Sequence, residues 1–522
     1  MALWIGVAVA SGLTPGCAVS ESDVHRWETT ENGPDKLYAI VTHDKYAMSL
    51  RDEAALSLVR MKSRNGRRIG LEFLVLGYDT PLGKVQGGLS AIPEDARRHM
   101  LADITPKLVA AMGQPPPKAP EGKPGEAAVV DMSIPYKDAA FAILSHDPPL
   151  VVDEKVKSDL TAALIQWVQT DFEHRVSNTS QQFGVEQIMR YLGAPSVKQL
   201  PGEITLDSTQ LEKACQLVAD IGDDETKKRV SEALVSMGKQ IDSQAWLDKK
   251  RTAIMQNNEA NHLSPKPEEL KKQIEDYQEQ KLEQVFVNMK KVGGRPVVDY
   301  CLGFAKSKDK SEKMRTDALA GIENRIDKNN PSDLNTLFDI VRDDTEKSDK
   351  VRGIALARMG ELPKEMLLPK LYSLFDKKWQ VRLDAGQLIL KTMTTKEVPD
   401  FLHHLPENAK TKIAMGEVIT YATRIMGMDP QGGPKPRDVL NTFLQSPSLG
   451  AKLTAVSSFR QKADAGQLSA LQEDKTPLPK CDPNDACGWQ IDVPKPGSKD
   501  KESKTLATVG DYVKLYLEPA LQ

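Results

Sequence analysis

Aromatic residues are scarce, at 5% of the 522-residue chain. That is thin for a carbohydrate platform or for a surface that stacks on bases. An excess of charge of one sign is also missing: Lys and Arg number 70, Asp and Glu 73, and the net charge is −3. A near-neutral chain lacks the general electrostatic grip that nucleic acid demands, so no nucleic-acid partner is expected. Five cysteines are too few to build a chain of this size on disulfides. Beyond the first residues, no apolar segment suits the roughly 20 residues of a membrane-spanning helix. There is no G-x-x-x-x-G-K-[ST] phosphate loop, no G-x-G-x-x-G after a strand, no H-E-x-x-H and no G-x-S-x-G. The eight His are scattered, and His403-His404 is the only pair. Adjacent side chains on a helix diverge by about 100°, which suits chelation poorly. No catalytic residue, metal site or cofactor is assigned, and the chain reads as a non-enzyme.

What remains is foldable: 40% hydrophobic and 27% charged residues. Length alone suggests roughly three globular domains of ~150 residues, unless the chain repeats. It does repeat. Met314-Arg315-Thr316-Asp317-Ala318-Leu319 matches Val351-Arg352-Gly353-Ile354-Ala355-Leu356 and Val381-Arg382-Leu383-Asp384-Ala385-Gly386. Weaker copies centre on Lys412 and Lys452, and the basic positions lie 37, 30, 30 and 40 residues apart. That is the scale of a two-helix repeat. Within the copies, Val351, Ile354, Ala355 and Met359 share a helical face, as do Val381, Ala385, Leu388 and Ile389. The helix before the third copy is read over Met366–Phe375, with Pro369 near its start.

These copies resemble the HEAT-repeat family, whose second helix commonly carries Val-Arg and a small residue three positions later. The resemblance implies an all-α solenoid of HEAT-like helical pairs. In it, Ala318, Ala355 and Ala385 allow close helix approach. Arg315, Arg352 and Arg382 pack between repeats, bonding to carbonyls or carboxylates. The competing reading of the arginines is a basic ladder for a ligand.

Earlier in the chain the pattern is weaker. Asp35–Asp44 and Leu50–Met61 read as a helical pair, and Arg51 followed by Ala54 repeats the basic-then-small spacing. Gly66–Leu76 fits either a helix or a strand. Ala96–Met112 and Asp153–Phe172 read as helices, and Asp207–Ile221 and Asp223–Ile241 as a pair with Asp207 and Asp223 as N-caps. Ser264–Lys291 reads as a long charged helix with a narrow apolar stripe. It serves either as a repeat helix with a solvated face or as a coiled-coil partner site.

At the N-terminus, Ala2–Leu13 is apolar and uncharged and ends in Thr14-Pro15-Gly16-Cys17. Its length suits a signal-peptide core. It resembles a bacterial lipobox, although Thr14 stands where Leu is usual, Pro15 is atypical and no basic residue precedes the run. The resemblance implies lipidation at Cys17, a membrane anchored through lipid, and, with Ala18 rather than Asp following, an outer-membrane address facing the periplasm. The competing reading is a buried first helix with a free thiol.

Cys215 and Cys301 lie in apolar helical patterns and read as core thiols. Cys481-Asp482-Pro483-Asn484-Asp485-Ala486-Cys487 contains turn residues, and in an oxidising compartment Cys481 and Cys487 are expected to form a local disulfide. Two ligands without a nearby His make zinc a weak reading, and the acidic residues between them lack the glycine and terminal Glu of a calcium loop. Pro494–Lys504 reads as flexible, and Thr508–Leu517 as a last short helix docked through Val509, Tyr512, Val513 and Tyr516.

The expected organisation is a signal peptide over 1–17, a polar tether over 18–34 and HEAT-like helices over 35–112. A Pro-rich linker over 113–126 and HEAT-like repeats over 127–263 follow. The long charged helix takes 264–292, further repeats 293–470, and the disulfide-containing tail 471–522. The expected role is a lipid-anchored scaffold for an unknown protein partner in the bacterial cell envelope. Two alternatives stand: a lyase-like enzyme or enzyme accessory with a small-molecule cleft, and a cytosolic scaffold.

Overall fold

The computed structural model describes residues 19–521 except 82, 116–130, 179–182, 399, 402–416, 418–419, 422–423, 426–435, 460–463 and 479–488. Its contacts divide into two compact units, residues 1–233 and 234–522. Both are built mainly from helices joined by short loops.

In the first unit, α1 (Glu21–Trp27), α2 (Gly33–Thr42) and α3 (Met48–Arg60) pack together. Part of the segment read as a tether is therefore helix. Ser20 caps α1, and Val24 is fully buried. Gly66–Leu76 is not a strand: α4 (Ile69–Leu71) runs into a wider helical turn over Glu72–Leu76. Of the two readings the helical one holds: Leu71, Phe73, Leu74 and Val75 are all buried, which a one-faced strand would not allow. Strands β1 (Tyr78–Thr80) and β2 (Gly83–Val85) form a small antiparallel hairpin. They lead to α5 (Gly88–Ala91), α6 (Glu94–Met112), α7 (Ile134–Leu144) and α8 (Glu154–Gln169). Helices α6, α7 and α8 pack on one another, burying Met100, Ile104, Leu108, Ile143, Leu160 and Trp167. Then come α9 (Phe172–Asn178), α10 (Val185–Leu192) and α11 (Leu211–Ile221). Asp207 is not the cap of α11, which starts four residues later with Gln210 at the N-cap position. Asp223 does cap α12 (Asp224–Ile241), accepting from Thr226 N–H at 2.8 Å.

The second unit shows the repeat plainly. After α13 (Gln244–Ala260) and α14 (Pro267–Val292) come α15 (Arg295–Lys306), α16 (Glu312–Gly321), α17 (Pro331–Arg342), α18 (Asp349–Met359), α19 (Lys364–Tyr372) and α20 (Trp379–Thr392). The even-numbered helices α14, α16, α18 and α20 pack in succession as one layer, and α15, α17 and α19 as the other. This is a HEAT-like solenoid arrangement, in which each pair buries its apolar face against its neighbours. Serine starts α16 and α18, and the later helix Leu449–Ser458. Ser311, Ser348 and Ser448 accept from the backbone N–H three residues on, and each stands four residues before its basic residue, Arg315, Arg352 or Lys452. Such a cap contributes about 1 kcal/mol. Pro369 is inside α19 rather than near its start, and the chain tightens into a 3₁₀ turn over Ser373–Asp376 directly afterwards.

Near the end of the chain, the segment 494–504 contributes to a hairpin, β3 (Gln490–Pro494) against β4 (Lys501–Thr505). Hydrogen bonds from Leu478 N–H to Ala507 and from Leu506 N–H to Trp489 tie it to the preceding segment. The last helical stretch starts at Val509 and buries Val509 and Val513 completely. Lys452 reaches Asp474 at 2.7 Å, joining this cap to Leu449–Ser458. A solenoid needs its final apolar face covered in this way.

Candidate functional site

The three repeat arginines are buried, at 5% (Arg315), 2% (Arg352) and 8% (Arg382) relative exposure. Each meets acceptors instead of solvent. Arg315 donates from Nε to the Ala305 carbonyl at 2.7 Å, and its two terminal nitrogens fork onto the Glu346 carboxylate. The Glu346 carbonyl in turn accepts from Arg352 Nη1, so one loop residue bonds to two successive second helices. Arg352 also pairs with Asp349. Arg382 donates to the Lys377 carbonyl at 2.7 Å and forks onto Glu417 at 2.7 and 3.1 Å. Burial raises the Glu346 carboxyl, but the Arg315 hydrogen bonds, the Ser348 N–H and the Arg315 and Arg352 charges together outweigh it and hold the group below its usual range. Ala318, Ala355 and Ala385 are fully buried. The first unit repeats the device once. Arg51 Nε donates to the Val41 carbonyl at 3.0 Å, ten residues back, as Arg315 does to Ala305. With their donors occupied and their stems enclosed, these arginines offer no exposed basic ladder.

A denser charged group lies in the core of the first unit. Lys137 is fully buried. It donates to the Phe183 carbonyl at 2.6 Å and pairs with Asp138 at 2.5 Å. Arg68 meets the same Asp138 at 3.0 Å. Trp167 donates to the Ser133 hydroxyl at 2.7 Å, and the Lys137 and Arg175 cations lie 4.9 and 4.3 Å from its ring centre. Burial opposes charge on both partners, pushing the Lys137 ammonium down and the Asp138 carboxyl up. Nothing here is open to a substrate, and the cluster acts as a polar pin between α7, α8 and the loops beside them.

The longest and least buried helical hairpin among the described residues of the second unit is α13–α14. At about 1.5 Å per residue its helices are about 25 and 39 Å long, far longer than the 10-residue α16 on which α14 packs. Burial in α14 is concentrated from Leu282 onward; before that, only Ile274 and Gln278 are buried. Of the 17 residues of α13, only Asn258 is buried. The two helices hold each other through Trp246 stacked on Tyr277, ring centres 5.9 Å apart, with Lys250 4.3 Å over the Tyr277 ring. Gln278 donates to the Ile241 carbonyl at 3.0 Å, fixing the arm to the end of α12. Towards the turn, Met255 and Leu263 are 45% and 58% exposed. The sequence pattern marks α14 but not α13, whose poor burial leaves it little amphipathic signal.

Cys215 and Cys301 are both fully buried. Cys17, Cys481, Cys487, His403 and His404 lie outside the described residues. Among the described residues, no three His, Cys, Asp or Glu side chains gather to hold a metal ion, and no helix is long and apolar enough to cross a membrane.

No family model matches the sequence, and no curated protein matches it. Several solved structures resemble the chain at low identity. The crystal structure of Kap121p aligns at 12% identity over 87% of this chain and 41% of that one, with a TM-score of 0.32. Kap121p bound to Nup53p aligns at 13% identity over 86% and 45%, with a TM-score of 0.27. Uso1-2 aligns at 10% identity over 88% and 85%, with a TM-score of 0.28. The chain thus spans about two-fifths of the Kap121p structures' length.

Proposed function

We propose that this chain is a non-catalytic scaffold that binds a protein partner through the α13–α14 arm. A lipid on Cys17 holds it in the bacterial cell envelope, at the outer membrane facing the periplasm. The observation that carries the binding role is the exposure of the arm. A hairpin whose first helix buries one residue of 17 gains little stability from its own array. Its turn presents Met255 and Leu263 to solvent, and a flexible, polarisable Met suits an adaptable protein contact. The anchor rests on the apolar run ending at Gly16-Cys17. Acyl chains contribute roughly 0.8 kcal/mol per buried CH₂, so several chains together hold a protein at a membrane.

Two experiments separate the two halves of the proposal. Cross-linked partners are recovered from membranes with the intact chain and with Met255→Lys/Leu263→Lys. A partner lost from the double variant, with an unchanged melting curve, supports the arm. A partner profile identical in both sinks that reading. Palmitate labelling that vanishes in Cys17→Ser supports the anchor, and an unlabelled wild-type chain overturns it.

A further inference from the structure

Outside the arm, a cleft of about 480 Å³ opens in the first unit between the β1–β2 hairpin, the start of α6 and the loop after α7. That volume is in the range of small-molecule sites. Part of its lining is apolar: Val75, Leu76 and Leu150 with the two prolines before Leu150. Lys84, Arg97, His146 and Ser90 also line it.

The donors in this cleft are poorly used. Ser90 Oγ and Arg97 Nε are buried and have no hydrogen-bond partner. The rest of the Arg97 guanidinium makes only a 3.4 Å bond to the Leu89 carbonyl and a 4.0 Å approach to the exposed Glu94. His146 donates from Nδ1 to the Pro148 carbonyl at 2.7 Å, which turns Nε2 towards other partners. Asp147 also lines the cleft, so two permanent cations stand against one carboxylate. The terminal nitrogens of Arg97, only weakly engaged, are the donors left for an oxyanion in the cleft, and charge-assisted bonds to a carboxylate or phosphate oxygen are among the stronger kinds. Gly87 explains the narrow backbone on this side: a Cβ there would fall 2.3 Å from the Val75 carbonyl oxygen.

We infer that this cleft binds a small organic oxyanion, a carboxylate or phosphate ester carried on a compact apolar group. Arg97 holds the oxyanion through its terminal guanidinium nitrogens, Lys84 adds a second charge from its exposed position, and Leu76 with Pro148 and Pro149 receives the apolar part. The site is independent of the arm and of the anchor, so its failure leaves the scaffold reading untouched.

The test uses the full chain and measures thermal shifts and calorimetric affinity with benzoate, phenyl phosphate, inorganic phosphate and benzyl alcohol. Benzoate or phenyl phosphate is expected to raise the melting temperature, and the stronger of the two names the oxyanion class. Inorganic phosphate should bind more weakly than phenyl phosphate, because it leaves the apolar lining uncovered. Lys84→Ala, at an exposed position, and Arg97→Gln should each weaken the better anion at least tenfold. No shift with either organic anion, equal binding by benzyl alcohol, or unchanged affinity in Lys84→Ala would overturn the inference. Phosphate binding as tightly as phenyl phosphate would overturn its apolar half. If Arg97→Gln does not fold, Lys84→Ala decides the charge requirement.

Discussion

Arg315 of one helical pair and Glu346 of the next form a forked ion pair in which both side chains are buried, at 6% and 4% exposure. Such a pair stabilises only while both members are present, because removing one strands a charge in the interior. Arg315→Met is therefore expected to cost about 3–5 kcal/mol in urea unfolding. The double variant Arg315→Met/Glu346→Met should recover most of that loss. A single variant within experimental error of wild type would mean that solvent reaches Glu346 freely.

Asp52 on α3 has its carboxyl pushed up to about 6, first by burial and then by the nearby Asp103 carboxylate, against the pull of His99 and Lys107. An unfolded Asp titrates near ~3.9. With the folded value the higher one, its stabilising contribution is complete below about pH 4 and is lost as pH rises through 6. After allowing for solvent screening, the loss is about 1 kcal/mol. Asp52→Asn should match wild type at low pH and exceed it by about that amount at pH 8. A stability difference that does not change with pH would sink this assignment.

Gly386 of α20 faces Tyr421. A Cβ at residue 386 would fall 2.2 Å from two carbons of the Tyr421 ring. Gly386→Ala should destabilise by about 1–3 kcal/mol through overpacking, despite the better helix propensity of Ala. Adding Tyr421→Leu should relieve part of that cost. A stabilised Gly386→Ala chain would show that the ring moves aside freely.

Cys215 and Cys301 are fully buried, and burial pushes the Cys301 thiol far up from its ordinary range. Only a thiolate reacts quickly with alkylating reagents. Peptide-mapped iodoacetamide labelling of the native chain should leave both positions unmodified until guanidinium is added. Labelling at the rate of an exposed thiol would contradict this packing.

How much was legible in the sequence depended on how periodic each segment's burial was. The second-layer helices announce themselves because Arg315, Arg352 and Arg382 each stand three residues before a buried Ala. The serine caps that precede two of them, Ser311 and Ser348, were equally visible in the sequence and add an independent start signal. Helix α13 was missed because packing hardly selects its side chains. The β3–β4 hairpin was masked by its lysines and serines; only Ile491, Val493 and Glu502 are half-buried in its two strands. The oxyanion cleft left no pattern at all. Lys84, Arg97 and His146 come from separate segments and meet only through the fold. The Lys137-Asp138 pair left none either: two charged residues before an apolar run read as an exposed helix start, and only the fold buries them.

The bonds that cross from one pair to another in the second unit have a consequence for how the chain tolerates change in length. Lys290 reaches Glu323, Lys306 reaches Asp339, and Lys364 reaches Glu397, each across 33 residues. Lys313 reaches back 30 residues to Glu283, and Arg295 reaches forward 38 to Asp333. Each of these five partners is found about one pair away, whereas Lys310 reaches Asp242 across 68 residues. Losing or duplicating a whole pair is expected to keep the helices in phase at each seam, whereas inserting two residues within a helix rotates every later side chain on it by about 200°. The array can be lengthened in units of a helical pair and resists being lengthened by less.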